Sequence, residues 1–291
     1  MSNLNTLKSK LFELTKRNKD GSFSTQSNRK RILLQMAKDL NNLGFKFSDP
    51  KSLKPKHIFA LLEQWKGDEI ATSTIKNRMS HIRWWAEKVN KASIVMRENS
   101  AYGIEKRIYI TNVSKGKLLD AEKLQLITCE FVKLSLSMQK EFGLRREEAI
   151  KFNHSVAIKG NNIVLKGTWC KGGKQRTIPI ETKGQRELLD KVRSLTGTGS
   201  LIPSYKTYYQ QLKSYEYQTS LASLNKMHGL RHEFAQNQYR RITGWECPNK
   251  GGIKYNEMTD IQKKIDRTAR QELSRLLGHE RPQITSVYIG S

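Results

Sequence analysis

The 291-residue chain carries 53 Lys and Arg against 27 Asp and Glu, a formal net charge of +26 at pH 7. Self-repulsion of that size opposes a compact fold unless a polyanion screens it, and the usual partner is nucleic acid, whose phosphates supply most of the affinity. Apolar residues at 36%, with five Trp, nine Phe and ten Tyr, argue against wholesale disorder. No stretch approaches the roughly 18 uninterrupted apolar residues of a membrane span, and "MSNLNTLKSK" lacks a signal-peptide core.

The length suits two domains. Lys and Arg are spread along both, so both are expected to face the polyanion, although a ribosome-associated protein would share this composition. Cys129, Cys170 and Cys247 are scattered and form no C-x-x-C, which points to reduced thiols in a cytoplasm and excludes a zinc ribbon.

In chain order, helical patterning runs from Ser27 to about Val95. "SNRKRILLQMAKDLNNLG" is a helix ending at Gly44, and "SDPKSLKPKHIFALLEQWKG" a loop and a second helix. In "TSTIKNRMSHIRWWAEKVN", Thr72 or Ser73 can cap a helix whose buried face is Ile75, Met79, Ile82, Ala86 and Val89. Its opposite face carries Asn77, Ser80, Trp84 and Lys88; an outward Trp84 needs another helix, DNA or a second protomer beside it. The first domain, 1–96, therefore reads as a bundle of four or five helices, and 97–117 as a linker without periodicity.

Residues 118–291 form the second domain. Asp120 caps a helix over "DAEKLQLITCEFV", and another lies near "REEAIKFN". Between Val156 and Ile180, β-rich runs broken by Gly-Asn and Gly-Gly predict a three-stranded antiparallel sheet. Helices resume at about Lys183. The fold class is mainly α with one small antiparallel sheet.

Four stretches carry chemistry. "FGLRREEA" sets Arg145 just after a glycine and Glu148 three residues on, a spacing that alone is a common surface pair. "CKGGKQRTIPI" fails as a P-loop, because Gly173 follows Gly172 and no Ser or Thr follows Lys174. It fits a hairpin whose lysine reaches a DNA groove, or a basic solvated turn. "HGLRHEF" puts His228 and Arg231 on one helix face; His228 and His232 are at i, i+4, but a guanidinium between them opposes a metal dication and suits an anion. "LGHERPQITSVYIG" places Tyr288 nine residues after His279.

Arg145 with Glu148, Lys171 in "CKGGKQR", His228 with Arg231, and His279 with Tyr288, in that order, resemble the tyrosine recombinases, the phage integrase family. That family's pattern is G-L-R-x-x-E, a hairpin lysine in G-K-G-x-K-x-R, H-x-L-R, then L-G-H and a tyrosine nine residues on. By motif the resemblance covers about residues 120–291, and more weakly the helical region 21–95, which looks like a core-binding DNA domain.

The resemblance implies a catalytic set of Arg145, Lys171, His228, Arg231, His279 and Tyr288. Tyr288 would be the nucleophile forming a 3′-phosphotyrosyl link to DNA, with Arg145 and Arg231 clamping the non-bridging oxygens. Removing one such donor typically costs about 2.7–4 kcal/mol. Lys171 would protonate the leaving 5′ oxygen, and His228 and His279 would bond the phosphate, with His228 accepting the tyrosine proton. Glu148 would orient an arginine, and His232 would be structural.

Also implied are no metal and no ATP cofactor, a C-shaped clamp on double-stranded DNA, a dimer per site, a tetramer in synapsis, and accessory DNA-bending proteins, all in the cytoplasm on the nucleoid. A type IB topoisomerase-like DNA-relaxing enzyme, or a catalytically silent DNA-binding protein of the same fold, would share much of this pattern.

Two departures from the family stand out. The segment between Arg231 and His279 is long, and "RITGWECPNKGGIKYNEMTD" reads as an insertion that could contact DNA, a neighbour, or neither. Only Ile289, Gly290 and Ser291 follow Tyr288, where many relatives continue into a helix docked on the next protomer; protomers would couple by another route unless the chain is truncated. No arm-binding domain is evident before residue 20, which favours a simple recombinase over a lambda-type architecture.

Overall fold

Fifteen residues at the start, Asn3–Arg17, form helix α1, because Leu4, Leu7, Leu11 and Leu14 recur on one face and the Ser2 hydroxyl accepts from the Asn5 N–H. The structure is a computed structural model describing residues 2–279 and 281–291; it divides into two units, 1–108 and 109–291. The division falls within the segment read as a linker.

In the first unit α1 packs on α2 (Phe23–Asn42), and α2 on α3 (Pro55–Gly67) and α4 (Thr72–Lys88). Leu11, Leu33, Leu61, Met79 and Trp85 meet in one apolar core. The helix expected from Ser27 starts earlier, at Phe23, where Ser22 caps it. Neither Thr72 nor Ser73 caps α4: Ala71 holds the cap position without a side-chain bond, and Thr72 is the first helical residue. Trp84 is buried rather than outward. Its indole N–H donates to Asp20 Oδ2 at 2.7 Å and the Arg29 guanidinium lies 4.3 Å from its ring, so a loop carboxylate and α2 are its neighbours.

The second unit opens with α5 (Ala121–Gln125), capped by Asp120, and α6 (Glu130–Phe142); the single helix expected there is two. Short helices α7 (Arg146–Ile150) and α8 (His154–Ala157) lead into β1 (Ile158–Lys159), β2 (Asn162–Leu165) and β3 (Arg176–Pro179). The sheet is antiparallel in sequence order, with Ile163 opposite Ile178 and both buried. Helices α9 (Lys183–Thr196), α10 (Tyr208–Leu221), α11 (Gly229–Thr243), α12 (Asp260–Leu277) and α13 (Ser286–Ile289) complete it. α11 lies centrally, packed on α6, α12 and α13. Among the described residues no helix is long and apolar enough to cross a membrane.

Candidate active site

α6 stops at Gly143, which adopts φ +58, and a Cβ there would come within 2.4 Å of the Phe234 ring on α11. Only glycine allows this left-handed turn at such close approach. The chain then turns into α7, with Arg145 at its N-cap and Glu148 reaching back to accept from the Arg145 backbone N–H at 2.7 Å. Glu148 is fully buried. One of its oxygens lies 2.6 Å from Arg145 Nη1, and the other 2.6 Å from Nη2 of Arg176 on β3. Arg176 also donates to the Leu276 carbonyl at 2.8 Å, so the carboxylate ties α7 to the sheet and the Arg176 guanidinium ties the sheet to the end of α12.

Arg231, in the first turn of α11 and 1% exposed, donates to the carbonyls of Gly143 and Leu277. Its Nε lies 3.4 Å from the Tyr288 hydroxyl. Arg145 Nη2 reaches the same Leu277 carbonyl at 3.4 Å, which joins the two arginines through one acceptor. A guanidinium has five N–H groups, so the three used by Arg231 leave two for an incoming oxyanion.

Tyr288, on α13, is buried rather than frayed. Its oxygen lies 3.3 Å from His228 Nε2, and its ring centroid lies 4.4 Å from that of His232 and 5.2 Å from that of His279. His279 follows Gly278 at the end of α12, and its buried Nδ1 has no hydrogen-bond partner among the described residues. A buried orphan ring nitrogen beside cations is what an anion-binding site leaves open.

Arg145, Lys171, Arg176 and His279 line a cavity of about 530 Å³ between the β2–β3 connection and the last turn of α12. The six residues singled out from the sequence thus fall into two overlapping groups. Tyr288, His228, Arg231 and His279 touch around the phenol, while Arg145, His279 and Lys171 share the cavity, with Lys171 exposed on its turn.

Electrostatics follow from burial among cations. Burial, then Arg231 and Arg145, push His279 down to about 3. Burial and His228 take His232 to about 4, and burial with Arg231 and Arg145 lowers His228. All three imidazoles are therefore neutral near pH 7 and able to accept a proton or a hydrogen bond. Burial pushes Glu148 upward, but Arg176, Arg231 and Arg145 outweigh it and hold the carboxyl below its ordinary range. Arg176, desolvated and close to Arg231, falls to about 9.

Arg176 and His232 were not singled out as functional in the sequence. Arg176 is the last residue of "CKGGKQR", and His232 is one helical turn from His228, so both had a positional signal. Among the described residues no group of His, Cys, Asp and Glu is placed to hold a metal ion.

Comparison with known proteins matches residues 1–93 to the family described as phage integrase, N-terminal, and residues 128–237 to that described as integrase. No curated protein sequence matches significantly. Among solved structures, a lambda integrase dimer bound to a COC′ core site aligns with TM-score 0.61 at 15% identity, over 96% of this chain and 94% of that one. A Tn1549 transposon integrase in complex with circular intermediate DNA gives 0.57 at 14%, over 100% and 96%. A lambda integrase tetramer bound to a Holliday junction gives 0.62 at 14%, over 96% and 76%. At these identities the structural likeness is one of fold.

Proposed function

Because the chain belongs to the tyrosine recombinase (phage integrase) family, whose activity is site-specific DNA recombination, we propose that its buried phenol cleaves and rejoins duplex DNA by transesterification. Tyr288 Oη attacks a backbone phosphorus, the P–O5′ bond breaks, and a 3′-phosphotyrosyl link conserves the bond energy. The reverse attack by an incoming 5′ hydroxyl reseals the strand. One observation carries the reading: the Tyr288 oxygen sits 3.3 Å from His228 Nε2 and 3.4 Å from Arg231 Nε within the same chain.

The roles follow from charge. The phosphate gains negative charge toward the transition state, so fixed donors at its non-bridging oxygens are the main catalytic contribution. Arg145 and Arg231 supply them, and His279 adds a bond through its ring. Neutral His228 takes the phenolic proton. Lys171, exposed on the β2–β3 turn, gives a proton to the 5′ oxygen, since an alkoxide is too basic to depart. Glu148 and Arg176 hold Arg145 and the sheet in register.

Residues 1–96 act in this reading as a DNA-binding domain, 97–117 as a linker and 118–291 as the catalytic domain. The net charge of +26 supports a double-stranded DNA partner gripped through its phosphates. The lambda integrase dimer and tetramer on DNA favour a dimer per site and a tetramer in synapsis; accessory DNA-bending proteins and a place on the nucleoid in the cytoplasm complete the proposal.

The test is a nicked suicide duplex bearing the native site, resolved on a denaturing gel. Wild type gives a covalent protein–DNA band and Tyr288→Phe gives none. DNA binding without a band from either protein would identify a silent DNA-binding protein. Relaxation of a supercoiled circle with no strand transfer between duplexes would identify a topoisomerase-like enzyme. A 5′-bridging phosphorothioate, whose leaving group needs no proton, restores Lys171→Ala far more than Arg231→Ala; equal rescue would remove Lys171 from the acid role.

A further inference from the structure

The insertion between α11 and α12 folds onto the nucleophile's own backbone. Residues 248–250 form a single 3-10 turn, closed by Lys250 N–H and Gly252 N–H bonding to the Cys247 carbonyl at 2.8 and 3.0 Å. An ion pair of 2.7 Å between Lys250 and Glu233 fixes the turn to α11. The turn presents Asn249, 8% exposed, whose Nδ2 donates to the Tyr288 carbonyl at 2.9 Å.

A second amide meets the same oxygen. Gln236 of α11, fully buried, donates from Nε2 to the Tyr288 carbonyl at 2.9 Å, and its own Oε1 accepts from the Ser114 hydroxyl at 3.0 Å. The last carbonyls of a helix have no partner within it, and α13 is only four residues long. Two side-chain amides from two different elements therefore occupy both lone pairs of the peptide that carries the nucleophile.

Beyond Tyr288 the backbone is equally constrained. Gly290 has φ +88, and a Cβ there would lie 2.8–2.9 Å from Asn249 and Asn112. Arg270 of α12 donates to the Ser286 hydroxyl and the Gly290 carbonyl at 3.1 and 2.9 Å, and the Ser291 N–H donates to Asn112 at 3.0 Å.

We infer that Asn249, supplied by the insertion, and Gln236 are positioning residues that hold the Tyr288 peptide so that the phenol is aimed at the phosphate site. This rests on Tyr288 being the nucleophile. The amides touch no reacting atom; they act by fixing the direction from which the phenol approaches. A misplacement of about 1 Å can cost on the order of 100-fold in rate.

The experiment measures single-turnover adduct formation on the suicide duplex at saturating protein, for Asn249→Ala and for Asn249→Asp, which keeps the shape and loses the donor. Both variants are expected to slow adduct formation by about 10- to 100-fold while DNA affinity stays within about twofold, the signature of an interaction realised after binding. Hydrogen peroxide, a small nucleophile that attacks the activated phosphate in place of the phenol, provides the control. Scission by Tyr288→Phe with peroxide is expected to equal that of Tyr288→Phe/Asn249→Ala. Wild-type adduct rates in both Asn249 variants overturn the inference and leave the Tyr288 assignment standing. Peroxide scission that falls in step with adduct formation also overturns it, by making Asn249 a general structural support. No adduct from wild type overturns the Tyr288 assignment itself, and this inference with it.

Discussion

The two units solve the problem of a stable interior differently. Residues 1–108 bury one apolar core in which four helices contribute Leu, Ile, Met and Trp, and their buried charges, Arg29 and Asp39, keep 7% and 8% exposure. Residues 109–291 divide their apolar side chains among three smaller clusters and bury Glu148, Arg176, Arg231 and Asp266 between and within them. Interior charge opposes folding unless every partner is present, because desolvation of each ion costs several kcal/mol. The contrast separates a unit stabilised by packing from one in which packing is subordinate to holding cations in place. Sites that break local rules for chemistry are where such costs concentrate.

Glu148→Gln should have the strongest consequence of any single substitution proposed. It leaves Arg145 and Arg176 facing each other without their carboxylate, so the second unit loses about 3–5 kcal/mol, the typical cost of breaking a buried pair. Adduct formation falls as well; unit-resolved hydrogen exchange and the suicide duplex read the two effects. Unchanged protection in residues 109–291 would refute the importance given to the ionic network. In the first unit, Leu33→Ala removes a fully buried side chain and should cost about 3 kcal/mol with the cavity it leaves. That loss should appear in exchange over residues 1–108 while leaving the ionic network intact.

A pH series separates the buried histidines from the buried carboxylate. His279 and His232 titrate at about 3 and about 4 when folded, whereas an unfolded imidazole titrates near 6.5. Between these values the unfolded chain binds more protons, so stability is complete above pH 6.5 and is lost as pH falls toward 4 and then 3. Glu148 stays ionised down to its ordinary value of 4.5 and below, so the histidines act without it in the upper window. Denaturant midpoints between pH 6.5 and 4.5 should fall less steeply for His279→Gln than for wild type. The smallest effect belongs to Trp84→Phe, which deletes the indole bond to Asp20 and should cost about 1 kcal/mol, one hydrogen bond's worth.

Helical periodicity and the order of four motifs made much of this legible in the sequence. α4, the three-stranded sheet and the grouping of Arg145, His228, Arg231, His279 and Tyr288 all have local or motif signals. Helix α1, which precedes the helical patterning from Ser27, is legible in the helical spacing of Leu4, Leu7, Leu11 and Leu14. Trp84 misled because a single helical wheel ignores a neighbouring loop, and Asp20 covers the face that looked open. Asn249 and Gln236 had no signal at all. A side-chain amide bonding to a distant backbone carbonyl leaves no periodicity and no motif, and only the folded chain brings residues 236, 249 and 288 together.

The end of α12 has a wider consequence. Its last two carbonyls, Leu276 and Leu277, receive the guanidinium groups of Arg176, Arg145 and Arg231. An α-helix carries roughly half a negative elementary charge at its C-terminus. This 18-residue helix thus works as a built-in counterion, keeping three mutually repelling cations assembled whether or not a phosphate lies between them. DNA then meets a receptor already in shape, and needs only to share an electrostatic load that the protein has been carrying with its own backbone.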